Sequence, residues 1–283
     1  MKPTGTENTK TPLNHLTVAI KGAGEIASAI AWRLYMAHIR RIFLLERPYP
    51  LAVRRQVSFC EAVYEGRHSV EGVAAVRVES SAQAYAAWSK GAIAVFIDPS
   101  WNRLHDLKPD VCVDAIMAKK NLGTTLLDAA LVIGLGPGHT AQKDVDMVIE
   151  TNRGHHLGRI ITDGCAQKNT GIPGKINGFS VERVLRSPQD GYFEAFAFIG
   201  DLVKQGDCIG SVGKAKIRSN VDGVVRGMVR SGTQVTKGFK LGDIDPRGNI
   251  EHCATISEKA RAIAGSVLEA ILRVYLAPAG EKS

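Results

Sequence analysis

Residues 16–37 read LTVAIKGAGEIASAIAWRLYMA, and this stretch decides the fold predicted for the first part of the chain. Residues 16–20 form a short apolar run with β-branched members, which predicts a buried strand. A turn with two glycines follows, and the amphipathic pattern from Glu25 to about Ala37 predicts a helix. The folded part of the chain therefore opens with a strand–turn–helix unit.

The turn carries the pattern Gly22-x-Gly24-x-x-Ala27, which is typical of dinucleotide-binding proteins when it lies between a strand and a helix. The first glycine permits the sharp turn, and the second lets the backbone approach a pyrophosphate. The small third residue lets the helix pack closely on the strand, and the helix N-terminus attracts phosphate. A Rossmann-type fold whose crevice is empty or repurposed is the alternative.

Two acidic residues bear on this nucleotide prediction. Glu46 ends the second predicted strand, at 41–45, where it would hydrogen-bond a ribose hydroxyl and favour NAD over NADP, although the adjacent Arg47 weakens that preference. Glu25 would compete with a phosphate for the field of the helix N-terminus. The predicted cofactor-binding residues are Gly22, Gly24, Glu25, Ala27 and Glu46.

Strand-like runs at 73–78, 92–97 and 111–116 follow, with a predicted helix at 81–89. Strands that alternate with helices predict a mostly parallel sheet with helices on its faces. We therefore predict an α/β Rossmann-like nucleotide-binding domain over residues 14–118, and a glycine-rich α/β middle domain over 119–186.

Polar residues collect near the predicted carboxyl ends of these strands, where open α/β sheets bind their ligands. Paired arginines and lysines there suit a phosphate-bearing substrate, and a glycine loop offers backbone N–H groups to an anion. Solvated charged turns and a tight structural turn explain the same residues equally well. The predicted substrate-binding residues are Arg54, Arg55, Asp114, Lys119, Lys120, Asn121, Gly134, Gly136 and Gly138.

An internal repeat is the most specific feature of the second half. Residues 190–212 align without a gap with residues 222–244, and glycines and apolar residues match at fixed positions. The pattern resembles the biotinyl/lipoyl barrel-sandwich domains and predicts such an inserted β module over 187–246. In those carriers a modified lysine lies on the hairpin between the copies. Lys214 and Lys216 lie there in this chain, and ordinary exposed hairpin lysines are the alternative.

A C-terminal amphipathic helix is predicted at 257–275, within a last segment, 247–283, that packs on the preceding domains. Apolar residues recur there at helical spacing, and Thr255 and Glu258 have the spacing of a capping box.

Composition narrows the class of protein. Hydrophobic residues make up 45% of the 283-residue chain, no apolar run reaches the length of a membrane helix, and the polar residues 1–13 predict a disordered tail rather than a signal peptide. The five scattered cysteines form no CxxC pair, which favours a reducing, cytoplasmic location. The net charge of +8 suits an anionic small molecule, and the low aromatic content of 6% argues against nucleic acid.

Reactive groups are harder to assign. His155 and His156 lie near Asp163 and Cys165 in the sequence, and all four residue types can bind a metal. Adjacent side chains in a strand point to opposite faces, so no metal site is predicted from this group. No nucleophile–base pair can be named, and the catalytic residues are unknown.

The chain resembles the YqeB-type proteins over about residues 16–274. The resemblance is carried by the order of six segments: IKGAGEIASAIAWRL, ERPYPLAVRRQVSFCEAVYEG, LKPDVCVDAIMAKKNLGT, LVIGLGPGHTAQKDVDMVIETNRGHHLGR, NTGIPG and DIDPRG. That family is associated with selenium-dependent molybdenum hydroxylases. The resemblance implies an accessory protein in maturation or insertion of the molybdenum cofactor, with the apo-hydroxylase as partner.

The residues suggest NAD(P) as the ligand, and the resemblance suggests a molybdopterin-type nucleotide. Both of these ligands carry phosphate. The leading expectation is an accessory protein that binds such a ligand. The alternative is an NAD(P)-dependent oxidoreductase with an added β module, for which Lys119, Lys120 or His139 would supply the acid or base. A homo-oligomer is left open by the sequence.

Overall fold

The computed structural model describes residues 11–168, 171 and 174–278. Most of the tail predicted at 1–13 and four residues of the NTGIPG segment lie outside these ranges. The elements, in chain order, are β1 (Thr17–Lys21), α1 (Glu25–Met36), β2 (Arg41–Glu46), α2 (Ala62–Glu65), β3 (Arg67–Val70), β4 (Val73–Val78), α3 (Ser81–Ser89), β5 (Ile93–Ile97), α4 (Arg103–Leu107), β6 (Val111–Asp114), β7 (Leu131–Leu135), β8 (Thr140–Ala141), β9 (Met147–Ile149), β10 (Ile160–Ile161), β11 (Gly164–Cys165), β12 (Val184–Arg186), β13 (Gly191–Ala195), β14 (Leu202–Val203), β15 (Cys208–Val212), β16 (Ala215–Arg218), β17 (Gly223–Met228), β18 (Gln234–Val235), β19 (Lys240–Asp245), α5 (Glu251–Ala254) and α6 (Glu258–Tyr275).

The chain divides into two compact units. The first comprises residues up to 50, 59–169 and 257 onward, and the second comprises 51–58 and 170–256. None of the helices in the described ranges combines the length and apolar character that crossing a bilayer requires.

A nine-stranded sheet forms the centre of the first unit, in the order β10-β9-β7-β6-β1-β2-β5-β4-β3. Seven neighbouring strands, from β9 to β4, are parallel, and an antiparallel strand closes each edge. Ala19, Phe43 and Phe96 pack with residues of α3 on one face. Val18 and Ile20 alternate with them and are fully buried too, as expected for a sheet covered on both faces.

The predicted fold class is wrong. It places a separate Rossmann-like domain before a middle domain, a barrel-sandwich module and a C-terminal helix. β7 and β9 belong to the same sheet as β1, so no separate sheet ends near residue 118. On the side away from β1, the neighbour of β2 is β5, because the hairpin of β3 and β4 takes the outer edge of the sheet. Alternating strands and helices predict parallel pairing, but they do not determine which strands become neighbours. The fold is mixed α/β, with one large, mostly parallel sheet and several antiparallel sheets.

In the first unit α6 packs against α1 and also contacts β7 and β9. The predicted capping residue is corrected: Ser257, not Thr255, caps α6, and its side chain accepts a hydrogen bond from the N–H of Ala260. Thr255 Oγ1 instead donates to the carbonyl of Glu251, in the preceding short helix.

The second unit contains two four-stranded antiparallel sheets, β12-β19-β17-β14 and β16-β15-β13-β18. The strands β13, β14 and β15 of the first repeat copy occupy the same relative positions as β17, β18 and β19 of the second. The copies exchange their short middle strands, because β14 pairs with β17 and β18 pairs with β13. Each sheet therefore contains strands of both copies.

Two equivalent contacts between the copies repeat this exchange. Asp190 accepts a hydrogen bond from the N–H of Lys237, and Asp222 accepts one from the N–H of Gln205. Each acid begins its own copy and binds a turn of the other copy. Neither copy can complete its hydrogen bonding alone.

A buried acid anchors the end of β19. Asp245 is fully buried, and it pairs with Arg247 at 2.6 Å and with Arg226 at 3.8 Å. Burial raises the pKa of Asp245, but the hydrogen bonds and charge of Arg247 and the charge of Arg226 outweigh it and bring the pKa down to about 2.

Candidate functional site

The candidate site lies at the carboxyl edge of the parallel sheet of the first unit. The chain leaves β1 toward β2 on one side, and it later returns through β6 to build β7 and β9 on the other side. Lys21 and Asp114, the last residues of β1 and β6, are register partners at this reversal. Open α/β sheets bind ligands outside such a switch point.

The turn after β1 approaches the chain after β6. Gly22 has φ +91°, and its N–H donates to the carbonyl of Leu45 at 2.8 Å. A Cβ on Gly22 would lie 3.4 Å from the carbonyl oxygen of Ala115. Ala27, in the first turn of α1, is fully buried, at the position where the pattern needs a small side chain.

Gly24 is the N-cap of α1, and because glycine has no side chain it cannot itself cap the helix by a side-chain hydrogen bond. The φ of Gly24 is −73°, and no atom lies within 4 Å of the position of its missing Cβ. The first turn of α1 is therefore open on the side where Gly24 lies.

The two acids of the predicted nucleotide site are both hydrogen-bonded. Glu46 accepts from the N–H of Ala23 and from the N–H of Arg47, each at 2.8 Å. Burial raises the pKa of Glu46, although these two hydrogen bonds and the charge of Arg47 act in the other direction. Glu25 accepts a hydrogen bond from Ser257 Oγ at 2.8 Å, which links its carboxylate to the start of α6.

A buried polar network joins β1 to the long loop between β6 and β7. Lys21 is completely buried; its Nζ donates to Thr124 Oγ1 at 2.9 Å and to Asp128 Oδ2 at 2.7 Å. The same ammonium lies 3.7 Å from the centre of the Trp101 ring. Thr124 Oγ1 donates in turn to Asp114 Oδ2 at 2.7 Å. Because a buried cation is costly unless it is paired, this network fixes the loop against the sheet.

Lys21, Thr124 and Asp128 are not among the site residues predicted from the sequence. The one available signal was a lysine at the end of an apolar strand, since such a residue has to find a partner if the strand is buried. Nothing in the sequence identified that partner.

Asp114 also binds His139, which follows β7. The distance from His139 Nε2 to Asp114 Oδ2 is 3.2 Å, and both residues are buried. Burial raises the pKa of Asp114, but hydrogen bonds from His139 and Thr124, with the charge of His139 and the N–H of Ile116, lower it overall. The ionised carboxylate is an acceptor, so Nε2 donates, and Nδ1 has no hydrogen-bond partner among the described residues.

The predicted lysines lie on the same edge. Lys119 and Lys120 are exposed on the loop after β6. Asn121 Oδ1 accepts from the N–H groups of Gly123 and Thr124, both at 2.8 Å, and its amide nitrogen donates to the carbonyl of Thr124. The side chain of Asn121 thus forms the turn that brings Thr124 into the buried network.

The three glycines of the loop after β7 each admit a close neighbour. A Cβ on Gly134 would lie 2.7 Å from His139 Cγ, and one on Gly136 would lie 2.5 Å from Thr151 Oγ1. Gly138 has φ +113°, and its Cβ would lie 2.9 Å from the backbone carbon of Lys120. The loops after β6 and β7 therefore touch, and their glycines are required for close packing whether or not an anion binds there.

Arg54 and Arg55 belong to the second unit. Arg54 is buried and donates to the carbonyls of His252 at 2.8 Å and Thr255 at 2.9 Å. Arg55 Nε donates to the carbonyl of Met228 at 2.8 Å. Both guanidinium groups bind backbone within that unit, whereas the other predicted site residues lie in the first.

No group of three or more histidine, cysteine or acidic side chains in the described ranges is arranged to hold a metal ion. His155 and His156 are both exposed, and their rings meet edge to face with centres 5.0 Å apart.

No protein-family model matches this chain. Solved structures with some likeness include an aspartoacylase family protein from Mesorhizobium loti, with 17% identity, TM-score 0.27 and 81% of this chain and 84% of that chain covered. Another is a succinylglutamate desuccinylase/aspartoacylase from Rhodobacter sphaeroides, with 15% identity, TM-score 0.23 and 48% and 58% covered. At these TM-scores the two likenesses carry no argument about the fold or the reaction of this chain.

A curated relative gives a much stronger match. The uncharacterized protein YqeB of Escherichia coli strain K12 is 48% identical over 261 residues, which are 92% of this chain and 48% of that protein. The chain spans about half the length of this relative. The predicted resemblance is confirmed to that extent: the chain is homologous to part of YqeB.

Proposed function

We propose that the first unit binds a phosphate-bearing, nucleotide-like ligand at the carboxyl edge of its parallel sheet. We further propose that the protein is an accessory factor in maturation or insertion of the molybdenum cofactor of a selenium-dependent molybdenum hydroxylase. The observation that carries the binding proposal is the switch point between β1 and β6, where α1 begins at Gly24 with open space beside that glycine. The pathway comes from the resemblance to YqeB-type proteins.

The electrostatics of this edge favour an anion. A helix N-terminus carries about half a positive charge, and backbone N–H groups there point outward. Lys119 and Lys120 are exposed on the neighbouring loop, and the whole chain carries a net charge of +8. Glu25, the acid that would compete with a phosphate, is engaged by Ser257.

NAD(P) and a molybdopterin-type nucleotide both satisfy this chemistry. In the accessory role, the ligand would be passed to an apo molybdenum hydroxylase, which is the proposed protein partner.

An NAD(P)-dependent oxidoreductase is the second candidate, and the position of Glu46 favours it. Its carboxylate ends β2 beside the N–H of Ala23, where a ribose hydroxyl would also lie. Of the proposed acid–base residues, His139 is buried against Asp114, whereas Lys119 and Lys120 are exposed and able to reach a ligand.

Native mass spectrometry of the purified protein, followed by calorimetric titration with NAD, NADP, CTP and molybdenum cofactor, tests these candidates. Gly24→Leu should abolish binding while the protein stays folded, because its side chain projects into open space. Gly265→Leu is the matched control, since Gly265 in α6 also has no atom within 4 Å of its missing Cβ. Unchanged affinity in Gly24→Leu would remove this turn from the site.

The ligand preference separates the two functions. Selective binding of molybdenum cofactor or CTP supports the accessory role, whereas selective retention of NAD or NADP supports the oxidoreductase. The accessory role also predicts that adding the protein raises the molybdenum content of an apo-hydroxylase supplied with free cofactor.

A further inference from the structure

The two sheets of the second unit have outer faces that can be compared position by position. Ser211 on β15 and Asp243 on β19 are equivalent in the internal repeat, and each precedes a residue of the core, so both face outward. Their register partners, Glu194 on β13 and Gly227 on β17, face the same way, because directly paired residues lie on one side of a sheet. Glu194 and Gly227 therefore mark the same place on the two outer faces.

Other residues of the second unit cover the outer face at Gly227. A Cβ on Gly227 would lie 2.8 Å from the carbonyl oxygen of Val53 and 3.1 Å from Arg54 Cδ. The helix α5 packs on the same strand, β17, and Val224 of that strand is fully buried. This face is therefore an internal packing surface.

The equivalent face of the other sheet is uncovered. Tyr192, the equivalent of Val224, is 65% exposed, and it shares the outward direction of Glu194 two positions later on β13. Phe196 is 43% exposed, and Lys216 Nζ on β16 lies 4.6 Å from the centre of its ring. Aromatic rings left uncovered on one sheet face are typical of a protein-binding surface. The side chains of Tyr192, Glu194, Phe196 and Lys216 form the open face.

Charges of both signs lie in one row of the open face. Glu194, Ser211 and Lys216 are register partners across β13, β15 and β16. Because neighbouring strands are about 4.8 Å apart, the acid and the lysine stand about 10 Å apart, on either side of β15. Within the ranges that the structure describes, neither Glu194 nor Lys216 belongs to an ion pair.

This row is complementary to itself under a two-fold rotation. An axis that runs along β15, above the open face, exchanges the two sides of that strand. Glu194 of one copy then lies opposite Lys216 of the other, and the reverse pair forms at the same time. The same contact buries the rings of Tyr192 and Phe196, and two sheets packed face to face with aligned strands are a common arrangement.

We propose that the open face is a dimer interface between two copies of this chain. A second copy is the occupant because the acid and the lysine are placed to satisfy each other across a two-fold axis. The interface lies in the second unit and is independent of the nucleotide site proposed in the first.

Sedimentation equilibrium of the full chain over a range of concentrations tests the interface. The unmodified protein should reach twice the mass of one chain. Glu194→Lys and Lys216→Glu should each raise the dimer dissociation constant by about tenfold or more, because like charges then face each other twice. Lys143→Glu is the matched control: Lys143 is exposed in the first unit, and its reversal should change the constant by less than about twofold.

Mixing the two variants tests the two-fold arrangement itself. Glu194→Lys places two lysines on the open face of one chain, and Lys216→Glu places two glutamates on that of the other. An equimolar mixture should therefore form a dimer with about the affinity of the unmodified protein, although each variant alone is monomeric. The double variant that carries both reversals should dimerise with itself.

Three results would overturn the proposal. The unmodified protein could stay monomeric at every concentration, which would leave the open face to a different partner. Both single reversals, shown to be folded by circular dichroism, could leave the dimer as stable as before. The mixture could remain monomeric when each variant alone is monomeric.

Carbodiimide cross-linking of the unmodified protein decides the question if a variant does not fold. The reagent condenses a carboxylate with an amine directly, so the separation of about 10 Å within one chain is too long for it. In a mixture of isotope-labelled and unlabelled chains, the covalent dimer should contain an amide between Glu194 of one chain and Lys216 of the other. Absence of this amide refutes the interface.

Discussion

Replacing Lys21 by methionine tests whether the buried network holds the loop between β6 and β7 against the sheet. The substitution removes the cation that binds Thr124 at 2.9 Å and Asp128 at 2.7 Å. Methionine keeps a similar apolar stem, so the volume beside Trp101 stays filled. The measured effect therefore reports the loss of charge and hydrogen bonds rather than the loss of packing.

The magnitude follows from the burial of the two partners. Removing one member of a buried ion pair costs about 3–5 kcal/mol, because the other charge is left uncompensated. The side chain of Asp128 is 16% exposed and also accepts from the N–H of Thr125, so water and backbone relieve part of that cost. We expect Lys21→Met to lower the free energy of unfolding by about 3 kcal/mol, the lower end of that range.

Urea unfolding followed by tryptophan fluorescence measures this loss, because Trp32, Trp88 and Trp101 all lie in the first unit. Asp128→Asn in the Lys21→Met background should cost much less than it does alone, with a coupling energy of about 1.5–3 kcal/mol. Additive losses, within about 0.5 kcal/mol, would refute the idea that the pair holds the loop.

Further perturbations separate backbone strain, acid sensitivity and thiol access. Gly22→Ala should destabilise the first unit by about 2 kcal/mol, because the φ of Gly22 is +91°. Gly24→Leu should cost only about 1 kcal/mol, because leucine is a poorer N-cap than glycine. Equal losses in urea unfolding would contradict this. Asp245, with a pKa of about 2, stabilises the second unit above about pH 4, and roughly 2 kcal/mol should be lost as the pH falls toward 2. Hydrogen exchange in β17 and β19 should show this acid loss, and Asp245→Asn should flatten it. Cys165 is exposed, whereas Cys112 is buried and its pKa is raised by burial to about 12. Iodoacetamide labelling followed by mass spectrometry should therefore find Cys165 modified first. Modification of Cys112 at a similar rate would show that the core opens.

Local patterns predicted the elements well. The helix expected at 81–89 is α3, and the strand expected at 73–78 is β4, because hydrophobic period and flanking turn residues act over a few positions. The apolar stripe of the C-terminal helix is also seen, with Ile263, Val267 and Ile271 buried.

Long-range pairing could not be read in the same way. The pairing of β2 with β5 depends on a hairpin taking the outer edge, and an apolar strand gives no sign of which neighbour it will have. Lys21 and Asp128 are separated by 107 positions, and many acids in the chain could have balanced that lysine. At the candidate site, the spacing of Gly22 and Gly24 marked the turn after β1, whereas the hydrogen bonds of Thr124 to Lys21 and Asp114 depend on how the loop after β6 folds back.

The docking of α6 on α1 constrains the order in which the protein can fold during synthesis. Ser257 and Glu25 are hydrogen-bonded across a separation of 232 residues, and the second unit is translated between them. On the ribosome, α1, β7 and β9 must therefore wait with uncovered apolar surface until residue 275 has emerged. A nascent chain in that state is a natural client for chaperones, because α6 is made only after the second unit and completes the packing of the first.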